Sequence, residues 1–512
     1  MNGAESLVQT LLGSGVDTCF ANPGTSEMHF VAALDRIPGM RCVLGLFEGV
    51  VTGAADGYYR MADKPAATLL HCGPGLANGL ANLHNARRAQ SAVVNVVGDQ
   101  ATYHRPLDAP LTADTEGLAR AVSAFVRTAT GAASVGADAA VAVQAARAAP
   151  GQVSTLILPA DAAWTEGGEV ARALPVPPPA RVAPNIVDGI ARVLRSGEPV
   201  LILLGGRALR AEGLAAAHRI AAASGARLMA QGSNARIARG RGRPAIERIP
   251  YPVDQAVKVL SAFRHLVLVG SVEPVGFFAY PGKPGRLAPR DAAIHVLSRP
   301  EHDQLAALEA LADALGAPEA RPAGPALSPE SGRGALTPET IAATLAVLLP
   351  EEAVVVDEAV TTGRGFFPAT HGAAPHDWLQ LCGGAIGEGI PLAVGAAIGA
   401  PGRRVVGLQA DGSGMYTAQG LWTEAREQLD VTTLVFSNRK YAILLGELAN
   451  VGANPGRTAL DMLDLGSPDL DWVRLANGMG VEAARAESAE QLGDLMTQSF
   501  RQKGPFVIEL VI

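Results

Sequence analysis

Residues 410–441, ADGSGMYTAQGLWTEAREQLDVTTLVFSNRKY, contain the pattern that predicts both the fold and the chemistry of this chain. An apolar run at 405–408 leads to Asp411, and a second apolar run at 431–436 leads to Asn438. The segment between the two runs is helical in pattern, so we predict two strands of one sheet joined by a helix. One strand end then offers a carboxylate and its neighbour an amide oxygen. Both are hard oxygen ligands, which Mg²⁺ or Ca²⁺ prefers.

The glycines of the same stretch favour an anion beside this metal. Gly412 and Gly414 have no side chain, so backbone N–H groups can approach a phosphate at the start of the following helix, whose positive end attracts it. An Asp-Gly-Ser sequence after a strand is, taken alone, most often a turn. The amide at the second strand end favours the other interpretation, a diphosphate held through a metal ion.

The stretch resembles the fingerprint of thiamine diphosphate (ThDP) enzymes, a Gly-Asp-Gly followed one strand later by Asn-Asn. The interval fits that fingerprint, because 24 residues (413–436) lie between Gly412 and Ser437. Ala410 replaces the first glycine and Ser437 the first asparagine, and neither position supplies a ligand in the family pattern. The resemblance implies Mg²⁺ ligands from the side chains of Asp411 and Asn438 and from the main-chain carbonyl of Lys440.

Length and composition limit the possible classes of protein. A chain of 512 residues is too long to pack around a single hydrophobic core, so two or three domains are expected. Hydrophobic residues make up 48% and charged residues 18%, which is typical of a well-buried globular protein. The net charge of −7 gives no basic footprint for nucleic acid or a membrane surface. We expect a small-molecule partner instead.

The cysteines and the N-terminal sequence suggest a reducing compartment. Four cysteines without CxxC spacing favour neither a zinc site nor a disulfide framework. The first residues, MNGAESLVQTLLGSG, lack the basic and apolar regions of a signal peptide, and no apolar run is long enough to cross a membrane. We therefore expect a cytoplasmic protein.

Strand-like runs alternate with Ala-rich helical stretches along the chain, which predicts an α/β fold with doubly wound parallel sheets. Pro/Ala-rich segments at 174–184 and 316–329 interrupt the alternation and are interpreted as linkers. We predict three domains: 1–172, 185–315 and 336–512. The resemblance assigns pyrimidine binding to the first and diphosphate and metal binding to the third. An arginine-rich run at 239–243 is expected to form a solvated loop.

Glu48 is the principal catalytic candidate of the first domain. It follows an apolar run and begins a small-residue helix, a place where a lone glutamate usually stabilises the helix N-terminus. ThDP enzymes, however, place a glutamate here that hydrogen-bonds N1′ of the aminopyrimidine. That bond stabilises the imino tautomer, whose nitrogen removes the proton from the thiazolium C2. The resemblance therefore implies that Glu48 binds the cofactor and acts in catalysis.

Other candidates lie at strand ends of the same domain. His71, in Leu-His-Cys-Gly-Pro-Gly, is either a packing histidine or, as in benzoylformate decarboxylase-like enzymes, a catalytic one. An imidazole near the substrate carbonyl can donate or accept a proton. Gln100 and His104 are in the loop after the run at 92–97, and Thr25 supplies a hydroxyl in Asn-Pro-Gly-Thr.

The third domain carries the remaining cofactor candidates. Thr361 follows an apolar run, and the segment around Ile386 matches a Gly-x-hydrophobic-Gly pattern whose bulky residue separates the two rings of ThDP in the family. The resemblance implies that backbone groups of Gly384 and Ile386 pair with the pyrimidine edge and that Thr361, Ser413 and Tyr416 contact the diphosphate. It implies this full set of cofactor contacts: Glu48, Thr361, Gly384, Ile386, Asp411, Gly412, Ser413, Tyr416 and Asn438.

The closest likeness is to benzoylformate decarboxylase and to short acetolactate synthase-like proteins, and it covers essentially the whole chain. It implies decarboxylation of a 2-oxo acid, followed by aldehyde release or by ligation to a second carbonyl. Leu444 stands where pyruvate decarboxylases place a catalytic glutamate, and 272–281 offers no match for a second histidine of benzoylformate decarboxylase. The resemblance also implies a homodimer as the minimal active unit and a homotetramer as the usual assembly.

Several alternatives stay open at this level. Acetolactate synthases often hold FAD in the middle domain, but no clear sequence basis for FAD is found here. An incomplete Gly73-x-Gly75 pattern offers weak support for a nicotinamide enzyme. A catalytically silent ThDP-binding protein and another ThDP lyase, such as an acyl-CoA lyase, are the remaining candidates. The sequence does not identify the 2-oxo acid.

Overall fold

The computed structural model describes residues 1–320, 322 and 330–512. Most of the second predicted linker, residues 321 and 323–329, therefore lies outside the described residues. Three α/β domains with largely parallel sheets follow one another along the chain, which confirms the predicted fold class. The domain limits 1–172, 185–315 and 336–512 stay a prediction.

The N-terminal sheet has six parallel strands in the order β2-β1-β3-β4-β6-β5. Strands β3, β4 and β6 are fully buried, as expected where helices cover both faces of a parallel sheet. The strands are β1 (Thr18–Ala21), β2 (Arg41–Leu44), β3 (Ala66–Leu70), β4 (Val93–Asp99), β5 (Phe125–Thr128) and β6 (Val153–Pro159). The helices are α1 (Gly3–Gly13), α2 (Met28–Arg36), α3 (Glu48–Ala62), α4 (Cys72–Ala89), α5 (Thr115–Val122), α6 (Ala132–Arg147) and α7 (Ala160–Trp164).

The central sheet has five parallel strands in the order β10-β8-β7-β11-β12. The strands of this part of the chain are β7 (Val200–Leu204), β8 (Arg227–Ala230), β9 (Ile237–Arg239), β10 (Glu247–Arg248), β11 (His265–Val269) and β12 (Ala293–Ser298). The helices are α8 (Pro184–Leu194), α9 (Ala211–Ser224), α10 (Val253–Leu260) and α11 (Gln304–Leu315).

The C-terminal sheet has seven strands in the order β17-β18-β16-β15-β13-β14-β9. Its strands are β13 (Ala353–Glu358), β14 (His376–Gln380), β15 (Val405–Ala410), β16 (Val431–Ser437), β17 (Glu482–Ala486) and β18 (Phe506–Val511). Its helices are α12 (Pro338–Leu348), α13 (Phe366–Ala369), α14 (Gly389–Gly399), α15 (Asp411–Gly414), α16 (Gly420–Arg426), α17 (Ala442–Asn450), α18 (Arg457–Asp461), α19 (Trp472–Gly478) and α20 (Ala489–Arg501). Helix α12 begins directly after Thr337, whose hydroxyl accepts a hydrogen bond from the Thr340 N–H.

Strand β9 comes from the central part of the chain but pairs antiparallel with β14 at the edge of the C-terminal sheet. The prediction of a solvated loop at 239–243 is therefore wrong at its first residue. Arg239 ends this strand and is only 2% exposed, and its guanidinium lies 3.4 Å from the centre of the Phe367 ring. A cation held against an aromatic face explains how the sheet accepts a buried arginine.

The first and third domains meet through helices α3 and α14. Small residues allow this close approach: a Cβ added to Gly395 would lie 1.9 Å from the Ala54 carbonyl oxygen, and one added to Gly57 would lie 2.2 Å from that of Leu392. A buried ion cluster joins the same two regions, because Arg60 contacts Asp56 at 2.6 Å and Glu388 at 2.9 Å. The mutual position of the two domains is therefore fixed within one chain.

None of the helices in the described residues has the length and apolar character needed to span a bilayer.

Candidate functional site

Asp411 and Asn438 lie side by side at the carboxyl ends of two neighbouring parallel strands, β15 and β16. Asp411 is 2% exposed, and its two carboxylate oxygens accept hydrogen bonds from the backbone N–H groups of Gly412 (2.9 Å) and Arg439 (2.8 Å). Burial raises the pKa of Asp411, and these hydrogen bonds oppose that effect. The predicted pairing of a carboxylate and an amide at adjacent strand ends is present in the fold.

The main-chain carbonyl of Lys440 is free to act as a third oxygen donor. Among the described residues, no N–H or O–H group donates to this carbonyl. The backbone groups on either side are paired, because the Arg439 carbonyl accepts the Leu465 N–H and the Tyr441 N–H donates to the Leu463 carbonyl. Asn438 and Lys440 line a cavity of about 380 Å³. Oxygen atoms of the type that Mg²⁺ prefers thus lie at two adjacent strand ends, from Asp411 after β15 and from Asn438 and Lys440 after β16.

The segment 383–387 is fixed to helix α4 through every second residue. Side chains of two asparagines and a histidine in α4 form hydrogen bonds with the backbone carbonyls of residues 383, 385 and 387. The pairs are Asn85 Nδ2 with Ala385 O (2.7 Å), Asn82 Nδ2 with Gly387 O (3.2 Å), and His84 Nε2 with Gly383 O (3.1 Å).

The alternate residues of this segment, Gly384 and Ile386, have backbone groups with no hydrogen-bond partner among the described residues. Both residues are only partly buried. These are the two residues predicted to bind the pyrimidine edge, and their free donors and acceptors fit such a ligand.

The carboxylate of Glu358, at the end of β13, holds the next part of this segment. It accepts hydrogen bonds from the N–H groups of Gly387 (2.8 Å), Glu388 (3.1 Å) and Gly389 (3.0 Å). Gln409 donates to the same carboxylate at 2.9 Å, and its Nε2 also lies 2.6 Å from the Ser413 hydroxyl. A continuous buried network therefore joins the predicted pyrimidine segment to the predicted diphosphate loop.

The other predicted diphosphate contacts border the same region. Tyr416 is 55% exposed, and its Cβ lies so near Gly387 that a Cβ added there would approach it to 2.6 Å. Thr361 is partly buried and directly precedes a short 3₁₀ turn after β13. Tyr416 therefore lies against the predicted pyrimidine segment, and Thr361 follows the strand that ends in Glu358.

Glu48 and His71 are neighbours in the first domain. A Cβ added to Gly75 would lie 3.1 Å from Glu48 Oε1 and 3.3 Å from His71 Cβ, so the glycine separates the two side chains. Glu48 is 7% exposed, and its Oε2 accepts a hydrogen bond of 3.0 Å from Asn78. The sequence places both residues at the carboxyl ends of parallel strands or at the helix starts that follow, and the sheet brings these ends together.

The buried Glu27 orients the imidazole of His71. Its Oε2 lies 2.9 Å from His71 Nδ1 and also accepts the Gly24 N–H at 2.7 Å. Space for this carboxylate depends on Gly98, because a Cβ there would overlap Glu27 Oε1 at 1.6 Å. Burial raises the pKa of Glu27, whereas the bonds to Gly24 and His71 lower it. With the Nδ1 proton donated to Glu27, the Nε2 atom of His71 is left for proton transfer.

Cys72 lies within 4.8 Å of the same pair, but its chemistry is unlike theirs. Burial raises the pKa of the Cys72 thiol to about 11, and the sulfur is 3.1 Å from the Ser26 hydroxyl. A protonated thiol is a poor nucleophile and a poor metal ligand. Cys72 is therefore a packing residue beside the histidine.

The remaining first-domain candidates are less closely connected. Thr25 is exposed, two residues before Glu27. Gln100 donates to the Pro110 carbonyl at 2.9 Å, and His104 lies in the partly exposed loop after β4. No hydrogen bond among the described residues joins Gln100 or His104 to Glu48 or His71. Their roles stay predictions.

Three non-glycine residues next to predicted site residues have positive φ angles. Cys72 (52°) follows His71, Val360 (49°) precedes Thr361, and Arg439 (58°) follows Asn438. Positive φ is costly for residues with a Cβ, above all for β-branched valine. Strain of this kind is concentrated at functional turns.

Glu27 and Glu358 were not singled out from the sequence. Glu27 lies directly after the Asn-Pro-Gly-Thr-Ser run, and Glu358 ends the apolar strand before Thr361, so each stands beside a predicted motif. Burial distinguishes these two carboxylates, and burial is a property of the tertiary structure.

Comparison with known families agrees with this geometry. Residues 1–120 match the thiamine pyrophosphate enzyme N-terminal TPP binding domain, and residues 367–510 match the C-terminal TPP binding domain.

Individual relatives match the chain along nearly its whole length. The chain is 52% identical, over its full length and 99% of the relative, to a Mycobacterium tuberculosis protein provisionally named as the acetolactate synthase large subunit IlvX. It is 29% identical to benzoylformate decarboxylase of Pseudomonas aeruginosa, over 97% of this chain and 96% of that one.

Among solved structures, the ThDP-dependent 4-hydroxybenzoylformate decarboxylase of Rhodococcus jostii RHA1 superposes with a TM-score of 0.85 at 24% identity, over 99% of this chain and 98% of that one. At this identity the likeness supports the fold. The full-length relative at 52% identity, together with the two matched domains, confirms the predicted family. The chain belongs to the family of thiamine diphosphate-dependent enzymes.

Proposed function

We propose that this enzyme uses ThDP and Mg²⁺ to decarboxylate a 2-oxo acid, and either releases an aldehyde or joins the remaining acyl group to a second carbonyl. The observation that carries the proposal is the set of polar groups that meet at the strand ends of the third domain. The Asp411 carboxylate, at the end of β15, lies beside the turn after β16 that holds Asn438 and Lys440, while the backbone groups of Gly384 and Ile386 are unpaired among the described residues. Bound ThDP would supply the thiazolium that adds to the carbonyl and accepts the electrons left by CO₂.

The residues of the chain then bind, orient and protonate. Ser413 and the N–H groups of its loop would hold the diphosphate, and Ile386 would keep the two rings of the cofactor apart. The Glu48 carboxyl would hold a proton at the pyrimidine. His71, oriented by Glu27, would exchange a proton with the substrate oxygen at the carbinol stage. The names of the relatives, acetolactate synthase and benzoylformate decarboxylase, support a 2-oxo acid as substrate.

We further propose that the active site is shared between two chains, with a homodimer as the minimal unit and a homotetramer as the assembly. Apolar side chains are exposed on both the first and the third domain, for example Leu107 (69%) and Met462 (75%), and contact with a second chain would remove such side chains from water. The resemblance to the family places Glu48 of one chain opposite Asp411 of another.

Product analysis tests the reaction. Purified protein with ThDP and Mg²⁺ is offered pyruvate and benzoylformate separately, and CO₂, aldehydes and 2-hydroxy ketones are measured. Formation of CO₂ with either acid, lost on chelation with EDTA and restored by Mg²⁺ or Ca²⁺, is the expected result. Unchanged turnover after complete chelation would contradict the metal assignment, and binding of ThDP without any CO₂ release would favour a silent binding protein.

Complementation tests the shared site. Glu48→Gln and Asp411→Asn chains, each inactive alone, are produced together and the mixed dimer is isolated by two affinity tags. One site of that dimer then contains both native residues if the site spans two chains. Recovery of activity is expected. No recovery in a stable mixed dimer would place each complete site within one chain.

A further inference from the structure

Three aromatic residues of the central domain form an exposed surface beside the predicted pyrimidine segment. Phe277 and Phe278 are 51% and 57% exposed, and their ring centres are 4.9 Å apart in an edge-to-face arrangement. Tyr251, 41% exposed, stacks at a tilt with its ring centre 5.7 Å from Phe277. We name Tyr251, Phe277 and Phe278 the aromatic platform.

The exposure of the platform does not come from a loose loop. Residues 272–287 close on themselves, because the Gly276 N–H donates to the Gly285 carbonyl at 2.7 Å. Arg286 pairs with Glu273, and one of the bonds between them measures 2.8 Å. The rings are therefore held in place with about half their apolar surface uncovered. An apolar surface held in this way is typical of a binding site.

Helix α17 of the third domain fixes the platform from the other side. The Glu447 carboxylate accepts hydrogen bonds from Tyr280 Oη (2.8 Å) and Tyr251 Oη (3.4 Å). Leu444, one turn earlier on the same helix face, is 42% exposed.

The platform touches the segment predicted to bind the cofactor. A Cβ added to Gly384 would lie 2.5 Å from Phe277 Cζ, so the phenylalanine ring packs directly on this glycine. Gly384 also has a φ of 78°, which disfavours any residue with a side chain. The same glycine therefore accommodates the backbone turn and the ring of Phe277.

From these contacts we propose that Phe277 and Phe278 determine substrate specificity by binding the side chain of the 2-oxo acid. The enzyme then prefers 2-oxo acids with a bulky apolar or aryl substituent over pyruvate. A methyl group covers little of the platform, whereas an aryl or branched alkyl group removes much of its apolar surface from water. This inference rests on the proposed function, because it takes the bound cofactor to lie against Gly384.

The test compares kcat/KM for pyruvate, 4-methyl-2-oxopentanoate and benzoylformate in the ThDP- and Mg²⁺-loaded enzyme. For the wild type, kcat/KM should be at least about tenfold higher for one of the two bulky acids than for pyruvate. If no 2-oxo acid releases CO₂, the proposed function fails. If pyruvate is used at least as well as both bulky acids, this inference fails while the proposed function stands.

Variants locate the preference in the platform. Phe277→Ala should lower kcat/KM for the preferred bulky acid by about tenfold or more and change that for pyruvate by less than about threefold. Phe277→Leu, which keeps an apolar side chain, should show a smaller fall in kcat/KM for that acid. Trp164→Ala removes a similarly exposed aromatic residue (40%) from the first domain. It is expected to leave unchanged the ratio of kcat/KM for the bulky acid to kcat/KM for pyruvate.

Two results would overturn the role of Phe277. One is an equal fall of kcat/KM for all three acids with ThDP affinity unchanged, which indicates no role in specificity. The other is a change in the sedimentation coefficient of Phe277→Ala without a change in the substrate ratio, which indicates that the platform contacts a second copy of the chain.

Discussion

Glu27 and His71 form a hydrogen-bonded pair in which a buried carboxylate, 1% exposed, lies 2.9 Å from an imidazole that is 24% exposed. Two glycines make the pair possible. A Cβ on Gly98 would overlap the carboxylate, and one on Gly24 would come within 2.4 Å of the imidazole ring. The arrangement resembles other catalytic histidines that a second group orients.

Replacing Glu27 by Gln should lower kcat by about 10- to 100-fold, because the imidazole loses the charged partner that fixes its orientation. KM and the affinity for ThDP should change little, since Glu27 is not a predicted cofactor contact. Steady-state kinetics and calorimetric titration with ThDP measure both. The exposed Glu212→Gln variant in α9 is the control, and a kcat within twofold of wild type in Glu27→Gln would contradict the orienting role.

Glu48→Gln should retain ThDP binding and lose at least about 100-fold in turnover. An amide keeps the size of the side chain and its bond to Asn78, but it has no carboxyl proton to share with the pyrimidine. Binding is measured by quenching of tryptophan fluorescence and turnover by CO₂ release. Near-normal turnover would remove Glu48 from the mechanism.

Glu358→Gln should weaken ThDP binding by about tenfold or more, as loss of an outer hydrogen-bonding group commonly does. The backbone N–H groups of residues 387–389 now donate to the carboxylate, and in the variant some of them would face the NH₂ group, which is also a donor. Raising the ThDP concentration should restore much of kcat, which a general folding defect would not allow. Glu351→Gln, at an exposed position before the start of β13, is the control. Equal ThDP affinity in wild type and variant would show that the network does not position the cofactor segment.

Alanine at Gly395 and at Gly446 should have opposite effects. Gly395→Ala places a Cβ 1.9 Å from the Ala54 carbonyl in the α3–α14 contact, so the free energy of unfolding should fall by about 1–3 kcal/mol. Gly446 lies inside α17 with no atom within 4 Å of an added Cβ, so alanine there should stabilise by about 0.5–1 kcal/mol. Urea unfolding measures both, and a neutral Gly395→Ala variant would show that the helices can separate without cost.

Glu424 should make stability decrease as the pH rises. It is fully buried, neither carboxylate oxygen has a hydrogen-bond partner among the described residues, and burial raises its pKa well above the ordinary 4.5. The folded protein therefore keeps this proton to a higher pH than the unfolded chain. The unfolded chain binds fewer protons between the ordinary and the raised pKa, so the free energy of unfolding falls across that range.

The Glu424→Gln variant cannot ionise and should lack this contribution. The difference in unfolding free energy between variant and wild type should grow by about 1–3 kcal/mol from pH 5 to pH 9. Urea titrations at several pH values provide the measurement, with Glu212→Gln as an exposed control. A difference that is independent of pH would mean that Glu424 is already ionised in the folded protein at pH 5.

Local sequence pattern was enough to predict the strand–helix alternation, the family and the residues at the ends of β15 and β16. These depend on local order: apolar runs define β15 and β16, and the residues that follow each strand lie at its carboxyl end. Asp411 and Asn438 come close together because β15 and β16 are adjacent and parallel, and Glu48 is the first residue of α3. Such positions follow from periodicity and from the direction of the chain.

Contacts between residues that are distant in the chain follow from the tertiary structure. Glu27 and His71 are 44 residues apart, and Phe277 reaches Gly384 from another domain. Strand β9 leaves the central part of the chain to join the C-terminal sheet, and in doing so it buries Arg239. Local pattern cannot show such pairs, because burial and contact across domains depend on how the sheets and helices pack, whereas propensity and periodicity depend on near neighbours in the chain.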